Sequence, residues 1–127
     1  MNPILVVEDE AYLRDLYADE LKDAGFEVRP VSTGREAIEC VIKERPGLVV
    51  LDIMLPDMSG LRVLEEIKVY DKTIPVILNS AYSVYRADFI SWMADDYVVK
   101  SSNIAELISK IRQYIGHQTP RHSLVVS

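Results

Sequence analysis

Five polar side chains stand where apolar runs of this sequence stop: Glu8 and Asp9 after PILVV, Asp52 after GLVVL, Ser80 just past PVILN, and Lys100 after DYVV. Three carboxylates gathered in one place repel, and each raises the pKa of the others unless a cation sits among them. A hard divalent ion is therefore implied. Oxygen donors with no His or Cys near them in sequence suit Mg²⁺, which takes one or two carboxylates, keeps several waters and completes its octahedron with phosphate oxygens. Asp9 and Asp52 are the expected ligands, with Glu8 as an outer or water-bridged helper. A carboxylate held beside such an ion can also act as a nucleophile and form an aspartyl phosphate, a reaction that needs mainly positioning and charge neutralisation. Asp52 is assigned that part. Lys100 supplies the second positive charge, and Ser80 a hydrogen bond to a phosphoryl oxygen.

Glu8 and Lys100 are 92 positions apart, so the elements between them must do the gathering. Residues 3–8 form a short β-branched run with no polar alternation, the pattern of a strand buried on both faces. Between 10 and 24 the positions Leu13, Leu16, Tyr17 and Leu21 share one helical face, and Gly25 follows where a left-handed cap ends a helix. The alternation then repeats. Strands are expected at 26–31, 47–52, 74–79 and 96–99, and helices at 33–44, 60–70, 82–93 and 104–115. Pro46 breaks the chain before the third strand, Leu61, Leu64 and Ile67 point inward from the third helix, and Asn103 with Glu106 makes a capping box for the last. That last helix carries Ile104, Leu107, Ile108, Ile111 and Ile115 on one stripe. Five strands alternating with five helices call for an α/β fold with a parallel sheet, right-handed crossovers and helices on both faces. Ligands in such sheets bind beyond the carboxyl ends of the strands, where the five polar residues stand.

The order Glu8–Asp9, then Asp52 within LDIMLPDMSG, then Ser80–Ala81, then Tyr97–Val98–Val99–Lys100 resembles the receiver domain of bacterial two-component response regulators over about residues 3–115. The Asp52-x-x-x-Pro56-x-x-x-Gly60 spacing is the most specific element of the likeness. The resemblance implies a doubly wound, flavodoxin-like sheet of order 2-1-3-4-5. It makes residues 1–116 a receiver domain and 117–127 a C-terminal tail or linker stub. It implies that Asp52 accepts a phosphoryl group from a sensor kinase histidine, a phosphotransfer protein or a small donor such as acetyl phosphate, and that Glu8, Asp9, Asp52 and the backbone carbonyl of Met54 hold Mg²⁺. Ser80 and Tyr97 take the two switch positions, and Lys100 bonds the phosphoryl group. The sequence departs from the family in having Ser101 where a proline usually follows the lysine, and Glu8 where Asp is commoner.

Output in such a protein runs through the face made by the fourth helix, the fifth strand and the fifth helix, to an effector partner, to a missing output domain, or to a second copy in a dimer. In the fourth helix Tyr85, Phe89 and Trp92 form one stripe while Val84, Ala87 and Ala94 lie on another, a candidate docking patch. Asp57 reads as a turn residue, and His117 and His122 receive no role. The formal net charge of −6 and the lack of any basic run disfavour direct nucleic-acid binding. No apolar run approaches the roughly 20 residues of a membrane helix, the N-terminus has no signal-peptide pattern, and the single Cys40 fits a reducing cytoplasm. The protein is expected to be no enzyme beyond its own phosphorylation and dephosphorylation. Two rivals share part of the pattern. A Mg²⁺-dependent phosphohydrolase with an aspartyl nucleophile would want a second Asp where Met54 stands, and an FMN binder would want hydroxyls where Glu8, Asp9 and Glu10 would repel the flavin phosphate.

Overall fold

The computed structural model describes residues 2–81, 93–100 and 104–115. The strands are β1 (Ile4–Val7), β2 (Val28–Val31), β3 (Leu48–Leu51), β4 (Val76–Ser80) and β5 (Asp96–Val99). Interleaved with them are α1 (Ala11–Asp23), α2 (Gly34–Glu44), α3 (Gly60–Tyr70) and, after β5, α4 (Ala105–Ile115). Helix α4 is the last of the five helices expected from sequence. The expected helix at 82–93, with its aromatic stripe, lies almost wholly outside the described residues, as do Ser101, Asn103 and the tail. Four helices therefore stand among the described residues.

The sheet is wholly parallel with order β2-β1-β3-β4-β5. Period-two alternation sends successive side chains to opposite faces. Leu5, Val7, Val49, Leu51, Val76 and Leu78 pack with α2 and α3, while Ile4, Val6, Leu48, Val50, Ile77 and Val98 pack with α1 and α4. Both faces of the sheet are covered, and the central strands are apolar except at Asn79 and Ser80, the end of β4. Strand β2 tolerates Pro30 because it is an edge strand, where a missing N–H costs no central ladder bond.

Helix ends follow local chemistry. Helix α1 stops at Ala24, and Gly25 takes φ 100° so that its N–H and that of Phe26 can return to Lys22 and Leu21. Helix α2 opens with a reciprocal cap, Thr33 accepting from the Glu36 N–H and Glu36 from the Ser32 N–H. Strand β1 is shorter than the run 3–8 suggests and β3 ends at Leu51, leaving Glu8 and Asp52 just beyond the ladder. Phe26 is core packing before β2 rather than part of it. Strand β4 differs in the other direction, reaching Ser80 because the Lys100 N–H donates to the Ser80 carbonyl at 2.7 Å and carries the pairing one step further.

Candidate functional site

The parallel register builds the site. Val7 pairs with Leu51, and the next residue on each strand, Glu8 and Asp52, emerges at the same level. Two ladder bonds fix that level, from the Glu8 N–H to Val31 at 3.1 Å and from the Asp52 N–H to Val7 at 3.1 Å. Lys100 enters from the end of β5. Its Nζ donates to Glu8 Oε1 at 2.6 Å and to Asp52 Oδ2 at 3.1 Å, closing a triangle over residues that sequence separates widely. Asp9 completes the cluster from the exposed side, with ligand oxygens of Glu8, Asp9 and Asp52 all within 4.8 Å of one another.

Glu8 and Asp52 are almost wholly enclosed. Burial lifts the Glu8 carboxyl above its ordinary range, and the Lys100 and Glu10 hydrogen bonds offset this only in part. Burial by itself would depress the Lys100 ammonium, but its hydrogen bond to Glu8 and the charge of Asp52 outweigh it and hold the lysine above its ordinary value. One ammonium faces three carboxylates, two positive charges short of formal balance. An oxygen-only donor set with that deficit fits a hard divalent cation such as Mg²⁺. Both Glu8 oxygens already have partners, Oε1 with Lys100 and Oε2 with the Glu10 N–H at 3.1 Å, which suits an outer part for Glu8. Asp52 Oδ1 accepts from the Met54 N–H at 3.2 Å.

The loop after β3 is closed on itself. Met54 and Ser59 form an antiparallel bridge, the Gly60 N–H donates to Ile53 at 2.7 Å, and Ser59 Oγ caps α3 through the Leu61 N–H. A Cβ on Gly60 would lie 2.0 Å from the Asp52 carbonyl oxygen and 2.7 Å from Ile53 Cα, so the glycine of the Asp-Pro-Gly spacing is there to let α3 abut the backbone of Asp52. Asp57 does more than turn the chain. Its two oxygens accept from the Gly34 and Arg35 N–H groups at 2.9 and 3.0 Å, tying this loop to the start of α2. Those bonds hold its carboxyl below the usual aspartate range.

Ser80 is fully buried at the end of β4, and Tyr97 is half-buried in β5, beside Leu78 in register and packed on the layer of α2 and α3. Two features escape the sequence pattern. Tyr17, by pattern one more apolar-face residue of α1, is buried and lines a small cleft with the buried Asn79 and Lys100. Arg14, on the same helix, reaches the carbonyls of Glu8 and Asp9. Neither could be read from periodicity, since each partner lies across the junction of a helix with a strand end.

Residues 4–112 match the model of the response regulator receiver domain, and the chain belongs to that family. It is 44% identical, with TM-score 0.87, to the response regulator TrrA of Thermotoga maritima in complex with Mg²⁺ and BeF, covering 90% of this chain and 99% of that one. TrrA in complex with the histidine kinase ThkA matches at 43% identity and TM-score 0.85, covering 91% of this chain and 99% of that chain. Among curated proteins it is 36% identical over 111 residues to the probable transcriptional regulatory protein TcrX of Mycobacterium tuberculosis, covering 86% of this chain and 47% of that protein. The chain spans about half the length of the curated relatives it matches. Among the described residues no helix is long and apolar enough to cross a membrane.

Proposed function

We propose that this receiver domain is switched by phosphorylation of Asp52. The observation that carries the reading is the placement of Lys100 Nζ between Glu8 and Asp52, with Asp9 close enough to share a cation. Asp9, Asp52 and the Met54 carbonyl would hold Mg²⁺, with Glu8 in an outer part. When bound, the ion neutralises charge on the transferring phosphoryl group. Asp52 uses a carboxylate oxygen to form the new bond to phosphorus as the bond from phosphorus to the donor's nitrogen or oxygen breaks. The leaving group departs with that electron pair. Lys100 gives up part of its contact with Glu8 and Asp52 to pair with the phosphoryl oxygens, and the Ser80 hydroxyl donates to one of them. Water later attacks the phosphorus, the bond from phosphorus to the Asp52 oxygen breaks, and inorganic phosphate leaves as the carboxylate is restored.

The donor is a sensor histidine kinase, a phosphotransfer protein or a small acyl phosphate, and the TrrA–ThkA complex supports a kinase of that class. Movement of Ser80 and Lys100 toward the phosphoryl group draws Tyr97 with it. This shifts the population of the surface that carries β5 and α4, which is read by an effector, an output domain or a second copy. Residues 1–116 act as the receiver unit and 117–127 as tail or linker, in a reducing cytoplasm where Cys40 stays a thiol.

Intact mass after incubation with acetyl phosphate and Mg²⁺ tests the core of this reading. Wild type gains one phosphate and Asp52→Asn gains none. An adduct on the mutant, or none on wild type, overturns it.

A further inference from the structure

We propose that Arg14 is a positioning residue for the metal-binding carboxylates, acting through the backbone of the loop that carries them. This rests on the assignment of Glu8, Asp9 and Asp52 as the Mg²⁺ centre and deepens it.

Arg14 sits in the first turn of α1, and its Nη1 reaches back to donate to the Glu8 carbonyl at 3.0 Å and the Asp9 carbonyl at 3.2 Å. Both oxygens belong to the end of β1, past the last ladder residue Val7. With three carboxylates close by, a guanidinium would ordinarily fork onto one of them, since that pairing is the stronger one. Among the described residues Arg14 forms no such ion pair; it takes two peptide oxygens and leaves the carboxylates to face one another.

The consequence falls mainly on Asp9. Glu8 is held from three sides, by the ladder bond of its N–H, by Lys100 and by the Glu10 N–H. Asp9 is exposed, and the hydrogen bond shown for its peptide is the one from Arg14. Rotation of that peptide would swing the Asp9 carboxylate away from Asp52, so the arginine fixes the approach of the most loosely held ligand. Groups that orient ligands in this way without touching the ion set its affinity more than the chemistry it supports.

The test separates those two quantities and uses no kinase, so that loss of a protein contact at α1 cannot imitate the effect. Acetyl phosphate drives phosphorylation over a range of Mg²⁺ concentrations for wild type, Arg14→Ala and Arg14→Lys, read by intact mass. In Arg14→Ala the half-saturating Mg²⁺ concentration is expected to rise about 10-fold, at the low end of what orienting groups contribute. The limiting rate at saturating Mg²⁺ should stay within about 3-fold of wild type, because Asp52 and Lys100 are untouched. Arg14→Lys, whose ammonium can still serve a carbonyl, should fall between them. Calorimetric titration with Mg²⁺ alone should show the same ranking. A merely structural arginine would lower thermal stability and leave the Mg²⁺ dependence unchanged, and that result overturns the proposal. So does a loss of limiting rate with unaltered Mg²⁺ affinity. If Arg14→Ala does not fold, Arg14→Lys carries the comparison by itself, and equality with wild type is again fatal. If wild type takes no phosphate, the phosphorylation reading fails, while the Mg²⁺ titration still decides the part played by Arg14.

Discussion

Lys68 and Lys100 are ammonium groups of similar exposure, 9% and 14%, at opposite ends of the same sheet. Lys68 lies where the strands begin. Its Nζ donates to the carbonyls of Lys72 and Ile74 and to Asp95 Oδ2, and that same Asp95 oxygen accepts the Val76 N–H at 2.7 Å. One positive charge meets one negative charge, and carbonyls complete its shell. Lys100 lies where the strands finish and meets two enclosed carboxylates with a third beside them. The first arrangement is finished as it stands and ties α3 to the entrance of β4 and β5. The second is left short of positive charge, and that shortage marks it as a site that still has something to bind.

Replacing each lysine by methionine puts the contrast to its hardest test. Lys100→Met should slow phosphorylation by acetyl phosphate at saturating Mg²⁺ on the order of 10²-fold, the usual cost of removing a group aimed at developing charge. Lys68→Met should leave that rate within about 2-fold and instead lower unfolding free energy by about 2 kcal/mol, with or without Mg²⁺, since it removes hydrogen bonds from a charged donor. Denaturant melts beside rate measurements suffice. Similar profiles for the two mutants would end the distinction between the sheet ends.

A pair of glycines sharpens the same comparison. Gly60→Ala would force a Cβ to 2.0 Å from the Asp52 carbonyl, whereas at Gly47, by the strand entrances, the nearest atom is 3.4 Å away. Chemical denaturation should show Gly60→Ala destabilised by about 3 kcal/mol and Gly47→Ala by less than about 1 kcal/mol, overpacking against backbone being the costly case.

The smallest effect belongs to Asp57. Its carboxyl is held low by the Gly34 and Arg35 N–H groups, so the ionised form favours the folded state. A depressed folded pKa gives stability that is complete above the unfolded value of about 3.9 and is lost as pH falls through the folded one. Asp57→Asn should therefore lower the melting temperature at pH 7 by a few degrees, a loss of about one helix cap. Its difference from wild type should close below that pH. A gap that persists in acid would mean that shape and not charge holds the loop to α2.

Much of this was legible in the sequence because a parallel sheet turns chain order into geometry. Once Glu8, Asp52, Ser80 and Lys100 are each placed at the end of an apolar run, their convergence follows from topology, and the sheet order and both helical layers agree with it. The apolar stripe of α4 from Ile104 to Ile115 was equally plain, and every member packs on the same layer. What sequence concealed was the choice of partner. Asp57 and Gly34 are 23 positions apart and Lys68 and Asp95 27, and nothing in a polar residue's spacing says which N–H or carboxylate it will meet. Gly60 was visible as a motif, but its reason, the closeness of α3 to the Asp52 backbone, is a distance. Ser80 was placed past its strand because β-propensity cannot register that a backbone bond from Lys100 prolongs the ladder.

The closed loop between Asp52 and Gly60 has a consequence for where motion can occur. Its bridge between Met54 and Ser59, its bond from Gly60 to Ile53 and the two bonds that Asp57 accepts from α2 mean that the ordering entropy of this segment is spent during folding, before any phosphoryl group arrives. The Asp52 side of the site then behaves as an anvil. In the proposed switch, rearrangement is confined to the opposite side, where Ser80, Tyr97 and Lys100 stand on β4 and at the end of β5, and the response of the domain is directional from the start.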